Sequence, residues 1–158
     1  MNEAKSHLPG FRRACTIVGV LYLALGGSML IRGPRQVMHP FGVPELVLSS
    51  PHFMDFFHWV FVHAIVLGVL IGLIGRFVVD GASQRFVSRV LCVVELHYLY
   101  LDLRTSDSPL GNGLYRGSAS LIPPMIDLAV VLVFAFLGLR RLRPGGSSGS
   151  GSGSGSGS

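Results

Sequence analysis

Four long apolar stretches alternate with polar or proline- and glycine-rich segments along this chain. They lie at about residues 11–31, 53–75, 86–103 and 119–139. Each is close to the roughly 20 residues that an α-helix needs to cross the hydrocarbon core of a bilayer. The pattern therefore predicts an all-α integral membrane protein, with residues 11–143 forming a four-helix transmembrane bundle.

The segments outside these stretches differ in character. Residues 1–10 form a polar tail, and residues 144–158 are almost only glycine and serine, which is typical of a flexible linker outside the fold. The connection after the first stretch is rich in proline, so no long regular helix is expected there. Its prolines are Pro34, Pro40, Pro44 and Pro51. We expect this connection to act as a lid on the bundle.

Composition agrees with a membrane protein. The mean hydropathy is +0.56 and charged residues make up 13% of the chain, well below the roughly 25% of an average soluble domain. The two cysteines, Cys15 and Cys92, both lie inside apolar stretches. They are expected to be small buried side chains, because a disulfide framework needs more cysteines than these.

The net charge of +5 comes from basic residues that flank the apolar stretches. This placement does not resemble a stripe that lines a nucleic-acid groove, so a nucleic-acid partner is not expected. Nine of the thirteen basic residues lie in the N-terminal tail, in the gap between the second and third stretches, or at the C-terminal end. The positive-inside rule then predicts that both termini are cytoplasmic, as an even number of spans requires.

The third stretch carries ionisable side chains at membrane depth. An ionised group there costs roughly 2.5–3.5 kcal/mol on insertion scales and marks a functional site by default. Glu95, Tyr98 and Asp102 have helical i, i+3, i+7 spacing and share one face. We expect that face to look into the bundle. His97, Tyr100 and Arg104 repeat the spacing on another face, which would meet a neighbour or the membrane interface.

Other stretches place polar groups at a similar depth. His63, Glu95 and Asp127 are each expected roughly 10–15 Å below the outer boundary, at 1.5 Å per helical residue. The prediction is a polar cavity in the outer half of the bundle. Pro123 and Pro124 either kink the fourth helix or start it, and a start is favoured because proline suits the first helical turn.

These groups suggest acid/base chemistry on a lipophilic small molecule. A carboxyl group in an apolar cavity can keep its proton near neutral pH and act as a general acid, while a second carboxylate or a histidine acts as base. The expected reaction is an isomerisation, cyclisation or hydrolysis without cofactor or metal. The candidate catalytic residues are Glu95, Asp127, His58, His63 and Tyr98. The candidate substrate-binding residues are Asp55, Trp59, Asp102, Arg104 and Tyr22.

Three alternatives stay open. Polar side chains also hold membrane helices together, as in a non-catalytic assembly, accessory or lipid-binding protein. Intramembrane carboxyl groups and histidines also serve proton-coupled transporters. A haem or metal protein could use His58, His63 or His97, although the Asp55-x-x-His58 pair has no second copy to complete a di-iron site.

Small residues offer surfaces for close helix packing. Gly68 and Gly72 form a G-x-x-x-G pair, and Gly19 and Gly26 lie in the first stretch. They are candidate faces for a homo-oligomer. The sequence thus predicts a multi-pass protein of a plasma (inner) or endoplasmic reticulum membrane, with a lipid or lipophilic molecule as ligand.

Overall fold

The computed structural model describes residues 7–140, and this part of the chain is all-helical, without a strand. The helices are α1 (Phe11–Arg32), α2 (Pro34–Met38), α3 (Glu45–Leu48), α4 (Pro51–Phe77), α5 (Gly81–Thr105) and α6 (Ile122–Leu139). Two 3₁₀ turns cover His39–Phe41 and Ser118–Leu121. The predicted all-α class is confirmed. The predicted tail and linker, residues 1–10 and 144–158, lie mostly outside the described residues.

Within the described residues, three helices are long and apolar enough to cross a membrane. They cover Phe11–Arg32, Pro51–Phe77 and Ser118–Leu139. Helix α5 has the length, at 25 residues, but its most apolar part includes Arg89, Glu95 and Asp102. Three of the four predicted stretches therefore have the length and composition of membrane spans.

Helices α1 and α4 form one antiparallel pair, and α5 and α6 form a second, with α1 also touching α6. Helices α1 and α4 approach closely because glycines line their contact. A Cβ atom added to Gly19 would lie 2.8 Å from the Gly68 carbonyl oxygen, and one added to Gly26 would lie 2.7 Å from the Phe61 carbonyl oxygen. These glycines therefore form the close contact between α1 and α4 within one chain. Gly72 has open space beside it. A homo-oligomer through the Gly19/Gly26 or Gly68/Gly72 faces stays a prediction.

An apolar cluster fills the end of the molecule where α1 and α5 begin and α4 and α6 end. We call this the N-terminal end. The buried members of the cluster are Leu8, Phe11, Cys15, Val18, Ile71, Leu91, Val130, Phe134 and Leu137. Cys15 is buried and Cys92 half-buried, and both are free thiols. Since all four long helices contribute to this cluster or pack against it, it joins the two helix pairs.

A second apolar cluster lies at the opposite end, which we call the loop end. Its buried members are Met29, Met38, Val43, Leu48, Phe57 and Phe61. The proline-rich connection supplies half of them. Its prolines fall at or next to the starts of helical segments, since Pro34 begins the short helix α2 and Pro51 begins the long helix α4. The connection is thus built from short helical pieces packed against α1 and α4.

Two connections lie at the loop end, the first between α1 and α4 (residues 33–50) and the second between α5 and α6 (residues 106–121). They are tied to each other. The Arg116 backbone N–H donates to the Phe41 carbonyl oxygen at 2.8 Å. The Phe41 and Tyr115 rings also pack with their centroids 5.9 Å apart. The Tyr115 backbone N–H donates in turn to the Thr105 carbonyl oxygen at the end of α5. Both connections therefore close over the ends of the helices together.

Helix α6 begins at Ile122, with Pro123 and Pro124 in its first turn. Of the two interpretations of this proline pair, the helix start is confirmed. Asp127 is consequently the sixth residue of α6. At the other end of α6, the Arg89 guanidinium donates from Nε to the Gly138 carbonyl oxygen at 3.0 Å, which satisfies one of the carbonyls that a helix end leaves without a partner.

Candidate acid–base site between α1, α5 and α6

Helix α5 turns its carboxyl-bearing face inward. The Glu95 side chain is fully buried, with 0% of its surface exposed. Tyr98 and Asp102, which share its face by helical spacing, are half-buried. The opposite face holds Val93, which is 67% exposed. The structure thus places the Glu95 face where the sequence expected it.

Glu95 is held by a tyrosine from α1. The Tyr22 hydroxyl donates a hydrogen bond to Glu95 Oε2 at 2.7 Å. Glu95 Oε1 is also buried, but has no hydrogen-bond partner among the described residues. A buried polar atom without a partner is rare in folded proteins and costs about 1–3 kcal/mol. This oxygen is therefore free either to carry a proton or to accept one from a ligand.

Besides Glu95, a pair of carboxyl groups lies further toward the loop end. The side chains of Asp102 on α5 and Asp127 on α6 are within hydrogen-bonding reach of each other. Ionised carboxylates only accept hydrogen bonds, so a hydrogen bond between two of them requires a proton on one. The two carboxyl groups can therefore share a proton between the two helices.

Tyr98 connects the two carboxyl sites. Its ring lies 6.5 Å from the Tyr22 ring, measured between centroids, and it is close to both Glu95 and Asp127. We call Tyr22, Glu95, Tyr98, Asp102 and Asp127 the acid layer. Along the helices it lies between the two apolar clusters, which shield it from both ends.

Tyr115 extends the acid layer into the loop end. It follows α5 in the second connection and packs against the apolar cluster there. Burial raises the pKa of Tyr115, and the nearby Asp102 carboxylate raises it further. Tyr115 therefore keeps its hydroxyl proton at physiological pH. No pattern in the sequence predicts this contact, because only the folded connection brings residue 115 back to Asp102.

The histidines of α4 do not join the acid layer. His58 and His63 are both exposed, and each ring bonds to its own helix. His58 Nδ1 lies 3.0 Å from the Met54 carbonyl oxygen, and His63 Nδ1 lies 3.1 Å from the Trp59 carbonyl oxygen. The expectation that these histidines share a cavity with Glu95 is corrected, because aromatic side chains and glycines occupy the inner face of α4.

Three further candidates also lie apart from the layer. Asp55 and Trp59 are exposed on α4, and the Trp59 ring stacks on the His63 ring at 3.9 Å between centroids. Arg104 is exposed at the end of α5, where its Nη1 donates to the Leu110 carbonyl oxygen at 3.5 Å. Of the ten candidate residues, the structure brings together the five of the acid layer.

The acid layer is made of oxygen-bearing side chains. Among residues 7–140, no group of three or more histidines, cysteines or carboxyl groups is arranged to hold a metal ion. The described residues contain a single salt bridge, Arg35 with Glu45, which lies in the first connection. The three carboxyl groups of the layer therefore have no described cation beside them, and shared protons are the simplest way to reduce their charge.

Comparisons with protein-family models, with curated proteins and with solved structures found no match to this chain.

Proposed function

We propose that the acid layer is a membrane-embedded acid–base site that acts on a lipophilic small molecule. Glu95 is the proton donor, and the Asp102–Asp127 pair accepts a proton. Tyr22 and Tyr98 orient these groups. The observation that carries the proposal is the fully buried Glu95, with one oxygen held by Tyr22 and the other without a partner.

This arrangement suits an isomerisation, in which one carbon of the substrate gains a proton and another loses one. Glu95 would deliver the first proton and the aspartate pair would receive the second, so no external oxidant, reductant or cofactor is needed. Two carboxyl sites with different surroundings are the usual means of assigning acid and base roles at one pH. Cyclisation or hydrolysis in the same site would use the same donor.

The proposal includes four membrane spans with both termini in the cytoplasm. Helix α5 supports a fourth span because the face it exposes is largely apolar. That exposed face includes Phe86, Val90, Val93, Leu96 and Tyr100. The predominance of basic residues at the N-terminal end supports the orientation.

The orientation is tested by cysteine labelling. A single cysteine introduced at Asn112, in a Cys15→Ser and Cys92→Ser background, should react with an impermeant thiol reagent that is added to the outside of intact cells. Labelling only after lysis would refute this orientation.

A proton-coupled transporter is a second candidate, favoured by one observation. The acid layer and Tyr115 form a series of proton-holding groups that reaches from the middle of α5 to the loop end. Between the acid layer and the N-terminal end, the apolar cluster interrupts any path for protons. We therefore favour chemistry inside the layer over transfer across it.

The test compares Glu95→Gln and Tyr22→Phe with Tyr100→Phe, a control on the exposed face of α5. Glutamine keeps the shape of Glu95 but cannot donate or accept a carboxyl proton. We expect the protein purified in mild detergent to carry a lipophilic molecule, identified by mass spectrometry, and to convert it or a close analogue. Glu95→Gln should lower the rate at least about 100-fold, because general acid catalysis contributes typically 10²–10⁴-fold.

Tyr22→Phe should lower the rate about 10-fold, since Tyr22 acts through Glu95, and Tyr100→Phe should leave it unchanged. The proposal fails if Glu95→Gln folds and keeps the full rate. Proton uptake into sealed vesicles that depends on Glu95, without conversion of the molecule, would instead favour the transporter.

A further inference from the structure

The N-terminal end of the molecule carries a basic pocket that the acid–base proposal does not use. It is a cavity of about 580 Å³ between the start of α1 and the end of α4. Its cationic lining residues are Arg12, Arg13 and Arg76, with His7 and Gln84 as further polar groups. Among the described residues, no carboxylate lines this pocket, so its charge favours an anion.

The start of α1 adds to this preference. The N-cap residue Gly10 has no side chain, and α1 therefore begins without a side-chain cap. The first N–H groups of a helix point outward and attract anions. Because Arg12 and Arg13 lie in the same turn, guanidinium groups and backbone donors are concentrated at one place.

An apolar groove adjoins the basic pocket. It has a volume of about 380 Å³ and runs along the contact of α1 and α4, and it shares Arg12 and Arg76 with the pocket. Its other lining residues are Thr16, Gly19, Val20, Leu23, Gly68, Val69, Gly72 and Leu73. The groove exists because the glycines leave space beside the helix contact. A Cβ atom on Gly72, for example, would meet nothing within 4 Å.

We propose that the basic pocket and the apolar groove together bind one anionic phospholipid. The phosphate lies among Arg12, Arg13 and Arg76, and one acyl chain follows the groove toward Gly19. Charge complementarity selects an anionic headgroup. Free phosphate would leave the groove unused, whereas a lipid fills both spaces at once. Both spaces lie on helices that have the length and composition of membrane spans.

The headgroup is tested by native mass spectrometry of the detergent-purified protein with dioleoylphosphatidylglycerol or dioleoylphosphatidylcholine. We expect the wild type to retain phosphatidylglycerol at least about tenfold more strongly. Arg12→Gln with Arg76→Gln should weaken phosphatidylglycerol binding about 25-fold, since each basic residue near an anionic lipid contributes about fivefold. Arg32→Gln removes a single guanidinium at the other end of α1, outside both spaces, and should change nothing.

The acyl-chain site is tested by filling the groove. Gly72→Leu places a side chain in the open space beside Gly72 and should weaken phosphatidylglycerol binding at least about fivefold. Gly27→Leu is the matched control, because a Cβ atom on Gly27 also meets nothing within 4 Å and Gly27 lines neither the pocket nor the groove. Thermal melting of each variant checks that it folds, and isoleucine replaces leucine at both positions if either leucine variant does not fold.

Three outcomes would overturn the proposal. The first is equal retention of the two lipids by the wild type. The second is unchanged phosphatidylglycerol binding in the folded arginine or Gly72 variants. The third is displacement of the lipid by millimolar inorganic phosphate, which would assign the basic pocket to a free anion.

Discussion

Helices α4 and α5 are similar in length, at 27 and 25 residues, and both carry carboxyl groups and histidines among apolar side chains. Their carboxyl groups nevertheless face opposite ways. Asp55, His58 and His63 of α4 are exposed, whereas Glu95 of α5 is fully buried. An ionisable residue in an apolar helix therefore does not indicate a functional site until it is known which face of that helix packs inward.

The inner faces of the two helices explain the difference. Both repeat at the three- and four-residue spacing of a helix stripe. The buried residues of α4 are Phe57, Phe61, Gly68, Ile71 and Gly75. Those of α5 are Gly81, Gln84, Ser88, Leu91 and Glu95. Helix α4 therefore packs by aromatic contact and close approach, while α5 presents mostly small or polar groups.

The buried polar groups of α5 have specific partners. Gln84 donates to the Val78 carbonyl oxygen at 2.9 Å and accepts from the Leu8 N–H at 2.7 Å. The Ser88 hydroxyl donates to the Gln84 carbonyl oxygen at 2.7 Å. Glu95 accepts from Tyr22. Each of these side chains therefore has at least one partner, and among these three side chains the unpartnered polar atom is Glu95 Oε1.

The largest expected effect comes from truncating the buried carboxyl group. Glu95→Ala should lower the free energy of unfolding by about 2–4 kcal/mol, because it leaves a cavity and removes the acceptor of the Tyr22 hydroxyl. Asp55→Ala, on the exposed face of α4, should change it by less than about 0.5 kcal/mol. Unfolding of the detergent-solubilised protein measures both. Equal losses in the two variants would show that the inward and outward faces are assigned wrongly.

The close approach of α4 to α1 provides a second, smaller effect. In Gly68→Ala the new methyl group would lie 2.8 Å from the Gly19 carbonyl oxygen, so the helices must separate, at a cost of about 1–3 kcal/mol. Gly72→Ala adds the same group where nothing lies within 4 Å. It should be neutral or stabilising, since alanine favours helix over glycine. Thermal melting compares the two, and a more stable Gly68→Ala would contradict the packing described.

The smallest effect is expected at the start of α5, where Asp80 is the N-cap. Hydrogen bonds from the Ser83 side chain and backbone N–H lower the pKa of Asp80 below its ordinary 3.8. Because the folded-state pKa is the lower one, this contribution to stability is present above about pH 4 and is lost as the pH falls through the folded-state pKa.

Asp80→Ala should therefore lower the melting temperature slightly at neutral pH, and the difference from wild type should shrink in acid. Asp80→Asn is the control, because asparagine also caps helices but does not titrate. A difference between wild type and Asp80→Ala that stays constant down to pH 2 would contradict the role of the carboxylate.

The sequence determined that the protein is all-helical, with helices long and apolar enough to span a membrane, because the length and hydropathy of a helix are properties of that helix alone. It also placed Glu95, Tyr98 and Asp102 on one inward face, since three- and seven-residue spacings depend only on helix geometry. The start of α6 at its proline pair followed from the fixed backbone angle of proline and its missing N–H.

Tertiary structure decided which helices contribute to the site. Nothing local to α4 shows whether His58 or Gly68 faces its neighbours, because its glycines and its polar residues form competing stripes. The glycine contact with Gly19 fixes that rotation and turns the histidines outward. The meeting of Tyr22 with Glu95, and of Asp102 with Asp127, likewise depends on how α1, α5 and α6 pack. Contacts between residues so distant in sequence are set by the packing of whole helices, which the spacing of residues along one helix does not contain.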